Sequence, residues 1–525
     1  MRTVGGNMEF LGGLLAGNAE KFPDRIAAIH GENTMTYRQL NQEADRLANS
    51  MRRAGLKKGG RAALLMKGGI EWLLAFYACQ KLGVGLALIH LRLLPEEMLR
   101  MVALTGADTL ICSAEYLPQA EYIAGHSGRD IRMIVQGGKK NAPEGADTFE
   151  DLMRREDCSD AQAGMTGDEE SIILFTSGTT SAAKGVVRTQ RMMAAYASVL
   201  AGEEQLGDGD TMLTPAPLYH ATGICCVVKM LVSAGTLILL DHFDCEQICA
   251  QVQKYRATQI ALVPPVSYQR LKASGYPEKY DLSSVRLAHV AAGKASEECF
   301  EDLFGMFPKA GVRLSWGSTE ASNITSVTLR REDIKNDRRL LTSVGKVNSV
   351  AELKLVDKDG NIVEGAGRGE AFVRSPLVFG GYLNAPELTE RSFSDGWFDM
   401  EDIMYRDEEG YYYLLDRKRD IIKTGGENVY AQEVEQDLLK NPAISECAVV
   451  GVPDRKYGEA IAAAIVLKKG CTLGGQEFIS FCREVMPSFK KPKYWAFMEQ
   501  LPKNDVGKVQ KAKLREHTEL FTPVV

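Results

Sequence analysis

The segment IILFTSGTTSAAKG, residues 172–185, says more about the fold of this chain than any other. Residues 172–175 are apolar and predict a buried strand. Small and hydroxyl-bearing residues follow, and then Lys184 and Gly185. Small residues let backbone N–H groups approach phosphate oxygens, hydroxyls add donors, and a lysine adds a compact positive charge. The segment therefore predicts a strand followed by a polyphosphate-binding loop, although a Ser- and Thr-rich surface turn would have a similar composition.

The loop is not a Walker A loop, because Ala183 precedes the lysine and Gly185 follows it, where that motif needs glycine and then Ser or Thr. After the loop, Thr189 is expected to cap a helix. The apolar face of that helix would carry Met192, Met193, Tyr196, Val199 and Leu200.

Helical and strand-like patterns alternate through most of the chain, which predicts an α/β fold. Residues 37–54 and 70–82 read as helices, and residues 61–65 and 84–89 read as strands. The most apolar stretch, residues 221–240, contains Lys229 and two glycines. It predicts a helix followed by a core strand rather than a membrane span.

Five charged residues, DRKRD at 416–420, indicate a domain boundary. Beyond them the pattern predicts a compact unit of strands at 421–422, 448–452, 461–467 and 494–498, with helices at 431–440 and 476–485. We therefore divide the chain into domains of residues 1–416 and 417–525, the second within the usual size range for a domain. The charged stretch 330–339 is expected to be an exposed loop.

Composition restricts the class of protein. The chain has 525 residues, of which 45% are apolar and 25% charged, as in a soluble globular protein. A net charge of −6 gives no support for a nucleic-acid partner or an anionic membrane surface. The 11 cysteines include no C-x-x-C pair and no zinc-site spacing, so they are expected to be buried, reduced thiols. The N-terminus is a poor signal peptide, and we expect a cytoplasmic protein.

The order of residues in FTSGTTSAAKG, 175–185, resembles the signature loop of the ANL superfamily of adenylate-forming enzymes, T-S-G-T-T-G-x-P-K-G. Ser181 and Ala183 depart from the pattern, where Gly and Pro are usual, without removing a ligand group. The resemblance implies that this loop binds the phosphates of ATP and that Thr179 also has a catalytic and metal-binding role. The residues that it assigns to ATP and AMP are Thr176, Ser177, Gly178, Thr180 and Lys184.

Further segments resemble the other motifs of the family in the same order. PLYH at 217–220 resembles the segment beside the acyl pocket, which implies that Tyr219 and His220 line that pocket. A histidine buried in the core is the alternative. Amino-acid-activating relatives place an Asp here, and residues 211–240 contain none, which argues against an α-amino-acid substrate.

Two segments resemble the nucleotide-binding motifs. AAGKA at 291–295 resembles the loop that lines the adenine site, which implies contacts from Gly293, Lys294 and Ala295. WGSTE at 316–320 resembles the aromatic-G-x-T-E motif, in which the aromatic ring lies against the purine and the acid binds Mg²⁺. The residues concerned are Trp316, Gly317, Ser318, Thr319 and Glu320, the last of which could otherwise be an exposed acid at a helix start.

GWFDMED at 396–402 resembles G-W-F-x-T-G-D, which implies that Asp402 accepts hydrogen bonds from the ribose hydroxyls. Met400 and Glu401 replace the usual Thr and Gly. DRKRD resembles G-R-x-K-D, which implies that Arg417 also reaches the ribose and that Arg419 is the hinge of the C-terminal domain. Without the resemblance, this run would be a solvated linker.

Two segments of the C-terminal domain complete the pattern. KTGGEN at 423–428 resembles the loop that lets the pantetheine arm of coenzyme A pass, which implies a role for Gly425 and Gly426. PKNDVGKV at 502–509 resembles the terminal P-x-x-x-x-G-K motif, which makes Lys508 the expected catalytic lysine.

The resemblance implies a large N-terminal domain of several subdomains, with β-sheets flanked by helices, and a small α+β C-terminal lid. It implies an ATP-dependent carboxylate–CoA ligase of the acyl-CoA synthetase branch, which uses ATP, Mg²⁺ and coenzyme A. Local stretches are most similar to crotonobetaine/carnitine-CoA ligases: the Ser after TSGTT, residues 252–258 and residues 405–410. A quaternary-ammonium acid would need an aromatic cage or an anion, and medium-chain and aryl acids stay open.

Two alternatives stay open at this point. The thiol acceptor could be the phosphopantetheine of a carrier protein, or the chain could be a nucleotide-binding pseudoenzyme. Intact Glu320, Asp402, Arg417 and Lys508 argue against the pseudoenzyme. Cys225, Cys226 and Tyr219 could line the acyl pocket or pack in the core. A homo-oligomer is compatible with the sequence, which does not indicate an oligomeric state.

Overall fold

Strands and helices alternate throughout the computed structural model, which describes residues 10–154, 157–162, 164–176, 183–263, 265–291, 295–424, 427–504 and 507–524. The elements of residues 10–189 are α1 (Leu11–Lys21), β1 (Ile26–His30), β2 (Asn33–Thr36), α2 (Tyr37–Arg53), β3 (Arg61–Leu65), α3 (Ile70–Leu82), β4 (Gly85–Leu88), α4 (Pro95–Thr105), β5 (Thr109–Ser113), α5 (Leu117–His126), β6 (Arg132–Gln136), β7 (Asp147–Thr148), α6 (Phe149–Met153), β8 (Glu170–Thr176) and β9 (Lys184–Thr189).

The elements of residues 190–347 are α7 (Gln190–Glu203), β10 (Thr211–Thr214), α8 (Ala221–Ser233), β11 (Thr236–Leu239), α9 (Cys245–Tyr255), β12 (Gln259–Ala261), α10 (Val266–Ala273), β13 (Leu287–Val290), α11 (Glu297–Met306), β14 (Gly311–Ser318), β15 (Ser322–Leu329), α12 (Arg331–Asn336) and β16 (Lys346–Val347). Short 3-10 helices occur at Ala114–Tyr116, Tyr276–Glu278, Arg338–Thr342, Lys418–Asp420, Ser488–Lys490 and Thr518–Leu520.

The elements that follow are β17 (Glu352–Val356), β18 (Gly367–Arg374), α13 (Pro386–Arg391), β19 (Phe393–Ser394), β20 (Trp397–Arg406), β21 (Tyr412–Arg417), β22 (Ile421–Thr424), β23 (Glu427–Tyr430), α14 (Ala431–Leu438), β24 (Ile444–Asp454), β25 (Gly458–Leu467), α15 (Gly475–Val485), β26 (Tyr494–Phe497), α16 (Lys511–Glu516) and β27 (Thr522–Pro523).

Two large sheets form most of the N-terminal part. A seven-stranded sheet has the order β7-β6-β5-β3-β4-β8-β9, and a nine-stranded sheet has the order β16-β15-β14-β13-β12-β10-β11-β1-β2. Most neighbouring strands are parallel, as an α/β chain requires; β9 is an antiparallel edge of the first sheet, and β2, β15 and β16 are antiparallel in the second. Residues of α1, α2, α3 and α8 share one core with strands of both sheets, so these helices lie between them.

Local signals in the sequence explain where several helices begin and end. The Thr36 hydroxyl accepts from the backbone N–H of Gln39, and the Gln39 side chain accepts from that of Thr36, which closes a capping box at the start of α2. The Thr189 hydroxyl caps α7 by accepting from the Met192 N–H, as predicted. α3 ends where Gly83 takes the left-handed conformation, with φ of 67°.

Two smaller sheets complete the molecule. β17 to β21 form a five-stranded antiparallel sheet, and β22 to β27 form a six-stranded sheet with its own core. Between them the chain passes through the 3-10 helix Lys418–Asp420. The fold class predicted from the sequence is therefore confirmed: several β-sheets flanked by helices precede a small α+β C-terminal domain.

Some predictions need correction. Residues 330–339 are not a loop, because α12 and a 3-10 helix form there: Asp333 accepts from the Arg330 N–H, and Ile334 is buried. The cysteines are free, but Cys158 and Cys471 are exposed rather than buried. Residues 221–240 form α8 and β11 as predicted, and no helix in the described part of the chain could cross a bilayer.

Candidate active site

The predicted phosphate loop connects two paired strands. β8 and β9 are antiparallel, with Phe175 opposite Gly185 and Thr176 opposite Lys184. The strand pairing therefore holds both ends of the loop. Ser177, Gly178, Thr179 and Thr180 lie outside the described residues, and their assignments stay predictions.

Tyr382 links the two charged residues expected on the phosphates and the metal. Its ring centroid lies 5.1 Å from Nζ of Lys184, and its hydroxyl donates a hydrogen bond of 3.0 Å to Oε1 of Glu320. The segment that carries Tyr382 contacts β9 directly, because Leu383 N–H donates to the Gly185 carbonyl at 2.8 Å. A Cβ at Gly185 would lie 3.1 Å from Cβ of Leu383, so the glycine permits this approach. The motifs did not identify Tyr382; its place in the Gly-rich segment FGGYLN was the available signal.

Arg188 is a second residue that the motifs did not identify. It is buried in β9, and its guanidinium donates to the backbone carbonyls of Thr319, at 2.5 Å, and Leu377. Burial lowers its pKa to about 10, and Tyr196 and Glu320 oppose that shift. Arg188 therefore ties the phosphate-loop strand to the turn that carries Glu320. A charged residue within the apolar strand KGVVRT was the signal.

Trp316, Gly317 and Ser318 end β14, and Thr319 and Glu320 form the turn to β15. Gly317 is required by packing, because a Cβ there would lie 1.7 Å from the Ser322 carbonyl oxygen. The Trp316 indole is buried in a hydrophobic cluster, and its Nε1–H donates to Oδ2 of Asp402 at 2.7 Å. Trp316 thus contacts the predicted ribose-binding carboxylate, and its stacking on a purine stays a prediction.

Asp402 and Arg417 face each other on β20 and β21. Nε of Arg417 lies 2.8 Å from Oδ1 of Asp402, whose side chain is 1% exposed. Burial raises the pKa of Asp402, and the charges of Arg417, Lys508 and Arg419, with the Trp316 hydrogen bond, oppose the rise.

The charge of Lys508 interacts with Asp402 and Arg417 as well. Burial and the positive charge of Arg417 lower its pKa, whereas Asp402 and Asp420 oppose the shift. The lysine is presented by a turn in which Asn504 Oδ1 accepts from the Lys508 N–H at 2.8 Å, and the Lys508 carbonyl accepts from the Asn504 N–H at 2.9 Å. Lys508 therefore interacts electrostatically with Asp402 and Arg417, which precede the junction.

The junction between the domains contains a buried acid. Asp416, where the family pattern has Gly, accepts from the backbone N–H of Arg417 at 2.8 Å and of Gln432, in the first turn of α14, at 3.2 Å. Burial raises its pKa to about 6. Arg419 is exposed in the 3-10 helix beside it. Asp416 thus connects β21 to the lid next to the predicted hinge, and the boundary at 416/417 stays a prediction.

The residues expected at the acyl pocket form an aromatic cluster at the start of α8. The Tyr219 ring lies 4.6 Å from that of His220 and 4.7 Å from that of His90, between centroids. Gly223 permits the segment before this cluster to pack closely against α8, because a Cβ at Gly223 would lie 2.3 Å from the Pro217 carbonyl oxygen. His90, in the loop after β4, was not identified from the sequence.

The contacts therefore fall into three groups: Tyr382 with Lys184 and Glu320, Asp402 with Trp316 and Arg417, and Tyr219 with His220 and His90. The charge of Lys508 interacts with the second group. Of the predicted adenine loop, Ala295 is described and half-buried, whereas Gly293 and Lys294 lie outside the described residues. Gly425 and Gly426 lie outside them as well, between β22 and β23.

Comparison with known proteins agrees with this arrangement. Residues 15–383 match the family model described as AMP-binding enzyme, and residues 433–508 match the AMP-binding enzyme C-terminal domain. The chain is 30% identical over 490 residues to a long-chain-fatty-acid–CoA ligase FadD13 of Mycobacterium tuberculosis, covering 93% of this chain and 94% of that one. It is 31% identical over 494 residues to a crotonobetaine/carnitine–CoA ligase of Escherichia coli, with 92% and 93% covered. A 2-succinylbenzoate–CoA ligase of Bacillus licheniformis is 31% identical over 507 residues, with 94% and 98% covered.

Solved structures show the same fold. The anthranilate CoA ligase AuaEII in complex with anthranoyl-AMP superposes with a TM-score of 0.87 at 26% identity, covering 97% of each chain. ATP-bound MatB from Rhodopseudomonas palustris superposes with a TM-score of 0.86 at 26% identity, covering 97% of this chain and 99% of that one. The chain therefore belongs to the AMP-binding enzyme family, in the acyl-CoA synthetase branch of the ANL superfamily, and is an AMP-forming acid–thiol ligase.

Proposed function

We propose that this protein joins a carboxylic acid to coenzyme A in two steps at one site. In the first step the carboxylate attacks the α-phosphorus of ATP, which gives an acyl-adenylate and pyrophosphate. In the second step the thiol of coenzyme A attacks the acyl carbon, which gives the thioester and AMP. The observation that carries this proposal is the Asp402–Arg417 ion pair, with which the charge of Lys508 interacts from the C-terminal part of the chain.

The first step needs positive charge, because the carboxylate and the phosphate repel each other. Lys508 would offset the charge that develops around the pentavalent phosphorus, and Lys184 would hold the departing pyrophosphate. The nucleophile is an oxygen of the substrate itself, so no covalent enzyme intermediate is required.

Asp402 and Arg417 would hold the ribose. A carboxylate can accept from both vicinal hydroxyls, and the Arg417 guanidinium beside it offers donors to hydroxyl oxygens. The Asp402 carboxylate is oriented from two sides, by Trp316 Nε1–H and by Arg417. Such fixed geometry is what a binding site for a small polar group needs.

The residues near Glu320 fit a magnesium ion bound together with the phosphates of ATP. Mg²⁺ commonly takes one or two carboxylates and completes its coordination with substrate phosphates and water. Glu320 is one such carboxylate, and Tyr382 fixes one of its oxygens by hydrogen bonding, which leaves the other for the ion. When bound, the ion would neutralise phosphate charge; Thr179 is the second proposed ligand.

For the second step, we propose that the lid turns about Arg419. This motion would withdraw Lys508 and bring the Gly425–Gly426 segment to the thiol. The lid has its own sheet and core, and the chain reaches it through the short helix Lys418–Asp420, so rotation there would preserve both domains. Tyr219 and His220 would border the acyl pocket.

The experiment is a panel of carboxylic acids incubated with ATP, Mg²⁺ and coenzyme A, with pyrophosphate and thioester measured separately. Both products should appear with at least one acid and in equal amounts. If pyrophosphate forms without thioester, and the acyl group is then transferred to an added phosphopantetheinyl carrier protein, the acceptor would be the carrier protein rather than coenzyme A. No pyrophosphate with any acid would overturn the proposal and favour a nucleotide-binding pseudoenzyme.

A further inference from the structure

A buried group of charged residues lies inside the large domain, and no motif accounts for it. Nζ of Lys229, in α8, donates a hydrogen bond of 2.7 Å to Oε2 of Glu204, just beyond α7. Nε of Arg313, in β14, lies 3.4 Å from Oε1 of the same carboxylate. The three side chains are between 1% and 5% exposed. Burying such a group is costly unless its members pair, so a cluster like this suggests a role beyond packing.

This cluster lies on the face of the nine-stranded sheet that packs against α8. Side chains alternate along a strand, so Arg313, Ser315 and Gly317 of β14 share one face. His289 of β13 pairs with Arg313 in the register of the sheet, so it lies on the same face, and Ala291 follows the end of β13. The opposite face, with Leu314 and Val290, packs against α9, α10 and α11.

Several residues on this face of the sheet and on α8 are partly accessible. His289, Ala291, Ser315 and Gly317 keep accessible surface in the middle of a covered sheet, whereas their neighbours on the opposite face are buried. On α8, Thr222 and Cys225 are also partly accessible, and they lie on one stripe with Lys229. We name these six residues, Thr222, Cys225, His289, Ala291, Ser315 and Gly317, the acyl channel.

The strand and the helix that carry these residues run similar lengths to the cluster. From Gly317, at the end of β14, to Arg313 the strand rises about 13 Å. From His220, at the start of α8, to Lys229 the helix rises about 13 Å. Both walls therefore run the same distance from the predicted active site to the charged cluster. A ligand lying along these residues would end at this buried, paired cluster of Lys229, Glu204 and Arg313.

The bonding of His289 determines what the closed end offers a ligand. A lysine ammonium can only donate, and Nζ of Lys229 lies 3.2 Å from Nε2 of His289. In the orientation of the Gln259 amide that satisfies its neighbours, its nitrogen also lies 3.0 Å from Nε2. Nε2 therefore accepts, and the ring proton is on Nδ1. Among the described residues, Nδ1 has no hydrogen-bond partner, and the His289 side chain is 14% exposed.

We infer that the acid activated by this protein carries a hydrogen-bond-accepting oxygen at the end opposite its carboxylate, and that His289 Nδ1–H donates to it. This inference rests on the proposed function. A plain alkyl end would leave the Nδ1–H donor buried without a partner, which a site of this kind rejects. A quaternary ammonium end would face the His289 donor rather than an unpaired anion, because Glu204 pairs with Lys229 and Arg313, and Glu203 also pairs with Arg313.

The test compares acids of equal length: octanoate, ω-hydroxyoctanoate and octanedioate, with crotonobetaine as the cationic acid. For the wild type, kcat/KM of pyrophosphate release should be at least about tenfold higher for one of the two oxygen-ended acids than for octanoate. The two oxygen-ended acids distinguish a hydroxyl from a second carboxylate. A preference for octanoate or crotonobetaine would overturn the inference and leave the proposed function intact, whereas no pyrophosphate with any acid would overturn the proposed function itself.

His289→Leu examines the donor directly. It should reduce the ratio between the oxygen-ended acid and octanoate at least about tenfold. A general structural defect would lower both rates together and leave the ratio unchanged, and that result would contradict the role of His289. His289→Gln is the second variant. Its amide can still donate a hydrogen bond, so it should restore part of the preference for the oxygen-ended acid over octanoate.

Cys225→Phe tests the channel independently of His289. The added ring should block acids as long as octanedioate while butanoate is still activated. Cys158→Phe, at an exposed cysteine far from α8 in the chain, is the matched control, and it should change the activation of neither the long acids nor butanoate. Equal loss for short and long acids in Cys225→Phe, with an unchanged unfolding temperature, would show that Cys225 does not line the channel.

Discussion

Asp402 and Arg417 form an ion pair of 2.8 Å across β20 and β21, immediately before the chain enters the lid. The two residues are direct partners in the strand register, so the sheet itself sets their separation. Because β21 ends at Arg417, any rotation of the lid begins at the edge of the proposed ribose site. The same pair of residues therefore takes part in the proposed ribose binding and borders the segment about which the lid is proposed to turn.

Lys508→Ala should separate the two half-reactions. The rate of acyl-adenylate formation should fall at least about 100-fold, since the variant removes a charge beside the developing phosphorane. The rate of thioester formation from a supplied acyl-adenylate should change little, because the proposed lid motion would withdraw the lysine in that step. Single-turnover measurements of pyrophosphate and thioester distinguish the two rates.

Lys503→Ala is the matched control for that lysine, because Lys503 lies in the same turn region but pairs with Glu446 at 2.5 Å. It should leave both half-reactions unchanged. Equal losses in both half-reactions of Lys508→Ala would remove the role assigned to Lys508.

Asp402→Asn should raise the KM for ATP at least about tenfold, because a charge-assisted hydrogen bond contributes about 1.5–3 kcal/mol. The penalty should become smaller with 2′-deoxy-ATP or 3′-deoxy-ATP, which lack one of the hydroxyls that Asp402 is proposed to accept from. Asp395→Asn, at an exposed position before β20, is the control. If the penalty were the same for ATP and both deoxy analogues, Asp402 would act on protein stability or on Arg417 rather than on the ribose.

Glu320→Gln should increase the Mg²⁺ concentration that supports half-maximal pyrophosphate release, since a neutral amide is a weaker ligand for a hard cation. Tyr382→Phe removes the hydrogen bond to Glu320 and keeps the carboxylate, so its effect on that concentration should be smaller. Glu352→Gln, in an exposed ion pair with Arg374, is the control. An unchanged Mg²⁺ requirement in Glu320→Gln would show that this carboxylate does not bind the ion.

Asp416 should make stability depend on pH. Its pKa of about 6 in the folded protein exceeds its ordinary value of 3.8, because the ionised form is buried. The folded state therefore binds the proton more tightly than the unfolded state, and the free energy of unfolding falls as pH rises from about 4 to above 6. The full loss is at most about 3 kcal/mol for this group.

Asp416→Asn removes that titration. The free energy of unfolding of the variant, relative to wild type, should rise by about 2 kcal/mol between pH 4.5 and pH 7.5. Denaturant unfolding at a series of pH values measures the difference. Asp208→Asn, an exposed acid that pairs with Arg25, should show no comparable pH dependence. A constant difference for Asp416→Asn across this range would contradict the raised pKa.

Local patterns in the sequence predicted the secondary structure well where a single element explains them. β3 and α3 begin and end where predicted, and the Thr189 cap of α7 forms as expected. The prediction was wrong at residues 330–339, where charge suggested a loop. A short helix forms there because Ile334 is buried and Asp333 caps the first turn, which composition alone does not show.

The sequence by itself determined the family and the α/β class, and it predicted the site residues Lys184, Glu320, Asp402, Arg417 and Lys508, because each lies in a motif whose chemistry can be read locally. The tertiary structure decided which motif residues are in contact. Trp316 and Asp402, for example, form a hydrogen bond although they are 86 positions apart in the chain. It alone revealed Tyr382 between Lys184 and Glu320, Arg188 beneath the turn, and the pairing of Lys229 with Glu204 and His289. These contacts depend on how strands and helices from distant parts of the chain pack, and no local pattern encodes that packing.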